Sequence, residues 1–223
     1  MRTPLLYTYR RCPYAMRARM ALLVAGIDFD AHEVSLRDKP AEMLVLSPKG
    51  SVPVMLLPDG TVLEQSWEIM CWALNREATK SWWDAGQAAD NLDWLARNDG
   101  VFKQHLDRYK YPERYVDPDR IGHREIGLEE FLRPLATRLE QSTYLGGSTP
   151  CATDLAIFPF VRQFAAVDPD WFAQLQIPAL QAWLSNWLSS PLFQHCMHKL
   201  PSQSTIRFPS FGRGLSSVGR EAG

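Results

Sequence analysis

The chain predicts two parts, an α/β unit with a mixed sheet over residues 1–77 and an all-helical part over 87–205. Three observations carry this. Strand-like apolar runs alternate with helical patterns as far as Arg76. From Gln87 onward the apolar residues keep only a helical period. Between the two, 78–86 breaks both patterns and reads as a linker.

Leu5-Leu6-Tyr7 marks a first strand over 4–9. A short basic turn, Arg10-Arg11, leads to Cys12 and Pro13. Pro13 suits the first position of a helix over 13–25, because an N–H there would be an orphan in any case. Met16, Met20, Leu23 and Ile27 are spaced to share one face, and Gly26 stands where a left-handed cap would close the helix. Asp28 to Val34 reads as a second strand, parallel to the first because a helix connects them. A short helical or irregular segment over 40–46 ends at Ser47-Pro48-Lys49-Gly50. Val52 to Leu57 reads as a strand opening at a proline, Pro58-Asp59-Gly60 as a turn, and Thr61 to Glu64 as the return strand. Gln65-Ser66 precedes a helix to about Arg76, with Ser66 as its cap. The sheet therefore has four strands.

In the second half, Leu92, Leu95, Phe102, Leu106 and Tyr109 keep helical spacing, as do Leu128, Phe131, Leu132, Leu135 and Leu139. Further stripes start at Leu155 and Leu180, and a short last helix covers Leu192 to His198. Such stripes are bundle core. Residues 206–223 are rich in Gly, Ser and Arg without a period, and are expected to be a flexible tail.

The 223 residues are 46% hydrophobic and 22% charged, with a formal net charge of −1. This suits a soluble globular chain and gives no electrostatic case for binding nucleic acid or acidic membranes. No run approaches the ~18 apolar residues of a membrane span, and no leading signal segment is seen. Cys12, Cys71, Cys151 and Cys196 are too dispersed for a disulfide framework, so a reducing cytoplasm is the expected compartment. No metal is expected, since His195 and His198 beside Cys196 have no matching ligands nearby in sequence.

Cys12 is the candidate nucleophile. The first N–H groups of a helix are unsatisfied and partly positive, so a thiolate at the helix start is stabilised relative to the thiol. Arg10, Arg11 and Arg17 add positive potential. The bland alternative is a small buried cysteine. Ala15, not a second cysteine, stands three residues on. A lone thiol cannot resolve its own mixed disulfide and needs an external one.

Four ordered features, over about residues 3–200, resemble a cytosolic glutathione S-transferase. They are Cys12-Pro13-Tyr14-Ala15, Val52-Pro53, Gln65-Ser66 before a helix, and an all-α second half with Asp154 near the start of its central helix. Within the family the chain resembles the cysteine-type, omega-like and glutaredoxin-like members. The resemblance implies a thioredoxin-like first domain, glutathione as co-substrate, and a homodimer. It implies Cys12 as catalytic residue and a glutathione site at Pro13, Tyr14, Lys39, Val52, Pro53, Gln65 and Ser66. Pro53 would be cis, turning Val52 to pair with the ligand like an added strand; the bland alternative is a proline opening an edge strand. Gln65 and Ser66 would hold the γ-glutamyl end, or simply cap a helix. Many cysteine-type members carry Glu at the place of Gln65, and glutamine offers only an amide oxygen to the ligand ammonium. Lys39 would reach the glycine carboxylate, or be merely solvated. Asp154 would stabilise a helix start, with Cys151 where the family has Ser or Thr. Tyr14, Trp94, Tyr109 and Tyr111 are candidates to line a second-substrate cleft. The implied activity is thiol transfer or glutathione-dependent reduction. The alternatives are a non-catalytic binding or scaffold protein of the same fold, and a peroxide sensor using Cys12 alone.

Overall fold

A computed structural model describes residues 3–116 and 118–211. By its contacts the chain divides into two units: one runs to Trp83 and resumes at Ser190, and the other spans Asp84–Ser189.

The first unit is built on a sheet of five strands: β1 (Leu5–Thr8), β2 (Asp30–Glu33), β3 (Val54–Leu56), β4 (Val62–Leu63) and β5 (Thr205–Arg207). Their order is β4-β3-β1-β2-β5. β1 and β2 are parallel, joined by α1 (Pro13–Val24), and the other neighbours are antiparallel. Successive residues of β1 point to opposite faces. Tyr7 packs with Val34, Met43 of α2 (Ala41–Leu46) and Val54, with Leu5 against them. Thr8 faces α1, whose Arg19 donates to its hydroxyl.

The single apolar stripe expected of α1 is too narrow. From Pro13 to Leu23 every residue but Tyr14 is buried, because α1 packs against both α3 (Ser66–Leu74) and α12 (Pro191–Cys196) as well as facing the sheet. Gly26, at φ +61°, closes α1 as expected. Its N–H bonds Leu23 O at 3.1 Å and the next N–H, of Ile27, bonds Leu22 O at 3.0 Å.

β5 corrects two expectations. The sheet carries a strand beyond the four predicted, and residues 206–211 of the expected tail are ordered on the first unit; 212–223 lie outside the described residues. Arg207 pairs with Asp30 at 2.8 Å, and Phe208 is buried, stacked on Phe29 with centroids 4.9 Å apart. Burying one such ring contributes about 2 kcal/mol, which adds to the strand's hydrogen bonds and the Arg207–Asp30 pair in holding it on the sheet edge. The expected helical domain over 87–205 correspondingly ends early, since its last helix, α12, groups with the first unit. The expected linker is helical, with a 3₁₀ turn at Glu77–Thr79 followed by α4 (Lys80–Gly86).

In the second unit α5 (Ala89–Arg97) continues through a π turn at Asn98–Phe102 into α6 (Lys103–Lys110). α7 (Arg120–Gly127) does the same through Leu128–Leu132 into α8 (Arg133–Glu140), so this helix starts well before the stripe predicted from Leu128. The two π turns face each other, with Phe102 and Phe131 stacked at 4.2 Å, and Arg97 donates to Glu130 O at 2.7 Å. The central α9 (Ala152–Ala165) is buried almost throughout. α10 (Pro169–Ala173), not anticipated, precedes α11 (Pro178–Ser189).

Asp154 is fully buried at the start of α9 and accepts four N–H groups. These are Leu145 N at 3.0 Å, Gly146 N at 3.3 Å, Cys151 N at 2.9 Å and Trp183 Nε1 at 2.9 Å. Cys151 is the N-cap, so the acid holds together a loop, a helix start and the face of α11.

Candidate functional site

β1 and β3 are antiparallel neighbours, with Tyr7 opposite Val54. The loop leaving β1 and the loop entering β3 therefore emerge at the same end of the sheet. That juxtaposition sets Cys12 Sγ 3.7 Å from Val52 O. The Val52–Pro53 peptide is cis.

Cys12 is the N-cap of α1, with extended backbone, and Pro13 follows at N1. Its carbonyl accepts from Met16 N at 2.9 Å and its N–H donates to Tyr9 O at 3.0 Å. Cys12 is partly exposed, and no acidic residue stands in the first turn of the helix. The sulfur thus belongs to a partly exposed residue at the start of a helix, 3.7 Å from a backbone carbonyl.

The basic turn ahead of Cys12 is braced from two sides. Arg19, itself buried, donates from Nη2 to Arg10 O at 2.7 Å, from Nη1 to Tyr9 O at 3.4 Å, and from Nε to Cys196 O at 3.1 Å. Glu33 Oε1 accepts Arg10 N at 2.8 Å. Neither brace was anticipated. The available signal was an arginine set among apolar residues in the middle of a buried helix. Of the arginines expected to act on the thiol, Arg11 is exposed near the Tyr9 ring, while Arg17 is buried with its guanidinium 5.2 Å from the Tyr14 ring centroid.

Lys39 lies against the loop leading to Val52: a Cβ built on Gly50 would stand 3.2 Å from Lys39 Nζ. Ser47 Oγ donates to Glu64 at 2.6 Å, with Lys49 at 3.6 Å. The Ser47 hydrogen bond, then Lys49, holds the Glu64 carboxyl below its usual range. Gln65, not Ser66, is the N-cap of α3, and its N–H donates to Glu68 at 3.2 Å. Ser66 occupies the first helical position and is buried, while Gln65 is exposed.

Trp94 and Tyr109, candidates for a substrate cleft, are buried in the second unit. Trp94 meets Phe131 edge-on, and Tyr109 packs on Phe164 and Trp171. Tyr109 lay on the helical stripe read as bundle core, and Trp94 joins that core. Tyr111 ends α6 and carries Arg114 at 3.9 Å from its ring centroid. His195 and His198 pack on Phe208, and His195 Nε2 meets Pro209 O at 2.7 Å, so both hold the segment after β5.

A mixed sheet with a cysteine at a helix N-cap position beside a cis-proline loop is a thioredoxin-like domain, here followed by a helical domain. Residues 11–76 match the family model described as glutathione S-transferase, N-terminal domain, and 93–186 match glutathione S-transferase, C-terminal domain. Between them these cover most of the chain, which belongs to the glutathione S-transferase family. It is similar to glutathione S-transferase omega-1 of Sus scrofa, at 26% identity over 196 residues, covering 83% of this chain and 76% of that one. In fold it is similar to a glutathione transferase family member from Pseudomonas fluorescens, solved with two glutathione bound. The TM-score is 0.74 at 18% identity, covering 87% of this chain and 92% of that one. A Pseudomonas putida glutathione transferase, with one glutathione disulfide bound per subunit, gives a TM-score of 0.72 at 22% identity, covering 90% and 92%.

Proposed function

We propose that the protein is a glutathione-dependent thiol transferase or reductase with Cys12 as its nucleophile. The observation that carries this reading is the partly exposed Cys12 sulfur at the N-terminus of α1, 3.7 Å from Val52 O on the cis-proline loop. Similarity to an omega-1 enzyme, and to structures that hold glutathione or its disulfide, supports it.

The Cys12 thiolate attacks the glutathione sulfur of a mixed disulfide. A Cys12–glutathione disulfide forms, and the substrate leaves as a thiolate. From a carbon-bound glutathione adduct the same attack expels carbon with its electron pair, which then takes a proton. Ala15 supplies no resolving thiol, so a second glutathione attacks the glutathione sulfur bonded to Cys12. Glutathione disulfide leaves and the Cys12 thiolate returns. In this reading Val52 pairs its N–H and C=O with the backbone of glutathione's cysteine. Ser66 and Gln65, at the open end of α3, receive the γ-glutamyl group, and Lys39 receives the glycine carboxylate. Pro13 and Tyr14 line the thiol.

Incubation with oxidised glutathione followed by intact-mass measurement tests the first step. A glutathione adduct is expected on the wild type and lost in Cys12→Ala; no adduct on the wild type overturns the mechanism and favours a scaffold. Parallel assays with hydroxyethyl disulfide, dehydroascorbate and a glutathionyl-hydroquinone, with Cys12→Ser as control, assign the substrate class.

The family resemblance supports a homodimer, and the dispersed cysteines a reducing cytoplasm. Sedimentation as a monomer at micromolar concentration would contradict the dimer.

A further inference from the structure

Among the described residues Gln203 is the one non-glycine with positive φ, at +57°. Such a conformation is strained for a residue with a Cβ and persists where surrounding contacts impose it. The contacts are specific. Gln203 N donates to Glu33 O at 2.9 Å, at the end of β2. Its side-chain oxygen accepts Ser35 N at 3.1 Å, and its side-chain nitrogen donates to Asp38 O at 2.7 Å. Ser35 and Asp38 are themselves bridged as the two ends of a tight turn. One side chain therefore staples both ends of the turn, and the next residue is Lys39. Lys39 in turn lies against Gly50, two residues before Val52. Behind Gln203, β5 and the buried Phe208 anchor the staple to the sheet.

We infer that Gln203 is a positioning residue for glutathione: by pinning the Ser35–Asp38 turn it holds Lys39 where its ammonium meets the glycine carboxylate of the tripeptide. The inference rests on the glutathione reading above. It gives the segment after α12 a role in the ligand site, although that segment is remote in sequence from every residue of the site. An untethered turn leaves Lys39 free to sample many positions, and the ordering then has to be supplied on binding.

Calorimetric titration of glutathione into a Cys12→Ser background separates binding from chemistry. Gln203→Ala is expected to weaken binding by about tenfold, the scale of one charge-assisted contact. Lys39→Ala is expected to do the same, and the double variant to be no weaker than Lys39→Ala alone, because Gln203 acts through Lys39. Gln203→Gly accepts the positive φ without strain and guards against misfolding; it is expected to lose the same affinity with no fall in Tm. Unchanged affinity in both Gln203 variants, or an additive double variant, overturns the inference even where the wild type forms its Cys12–glutathione disulfide normally. Tight binding with the expected epistasis but no wild-type disulfide upholds it while removing the proposed chemistry.

Discussion

Cys12 and Cys151 occupy the same local position in different surroundings. Each is the N-cap of a long helix with extended backbone, Cys12 before α1 and Cys151 before α9. Cys12 is partly exposed, with proline next and a backbone carbonyl 3.7 Å from its sulfur. Cys151 is fully buried beside Asp154, and burial first, then the nearby carboxylate, push its thiol up to about 12. A helix N-terminus favours a negative group. At α9 that group is Asp154, whose oxygens take four N–H bonds, so no second anion is tolerated beside it. A capping position is therefore not by itself a reactive site. Solvent access and the nearest charge set how readily a thiol at such a position ionises.

The largest effect separates the two in activity. Cys12→Ser is expected to lower thiol transfer by roughly a thousandfold, about 4 kcal/mol of transition-state stabilisation, in steady-state assays with a glutathionylated substrate. Cys151→Ala is expected to leave turnover unchanged. The reverse pattern would exchange their roles.

The next separates them in stability. Asp154→Ala strands four donors, three of them buried, and is expected to cost on the order of 4 kcal/mol in urea unfolding, where Asp154→Asn, keeping one acceptor oxygen, costs less. The same measurement on Cys12→Ser is expected to move little, since its side chain does not cap its helix.

The smallest uses alkali. The folded Cys151 thiol titrates near 12, against an ordinary value of 9.0. A raised folded pKa contributes stability that is complete below the unfolded value and lost as pH rises toward the folded one. By pH 10 the loss is about 1.4 kcal/mol, one pKa unit. Buried tyrosines fall in the same direction, so the difference between wild type and Cys151→Ala isolates the thiol. That difference should shrink steadily from pH 9 to 11 in thermal melts. A constant difference would mean that Cys151 ionises freely in the folded protein.

Much of the candidate site was readable because its signals are local. Pro13 after Cys12 and Gly26 at the far end define α1 by cap chemistry within a few residues. The N-cap of α3 was misplaced by one position, although Gln65 followed by Glu68 three residues later was visible as a capping pair. The cis Val52–Pro53 peptide came from the family resemblance and not from any physical signal in the residues. β5 was hidden because three residues amid Gly, Ser and Arg carry no period. Arg19, a charge on an otherwise apolar helix, is accounted for only by its four acceptors, which lie far along the chain or just before Cys12.

The sequence by itself determined the alternation of strands and helices, the change to a helical bundle, and the cysteine at the start of α1. These depend on periodicity and on caps that act over one or two turns. Only the tertiary structure decided that Arg207 meets Asp30 across 177 residues, that Gln203 pins the turn before Lys39, and that one capping cysteine stays open while another is sealed. Those outcomes depend on which surfaces exclude water from which groups, and that is a property of many distant side chains packed together.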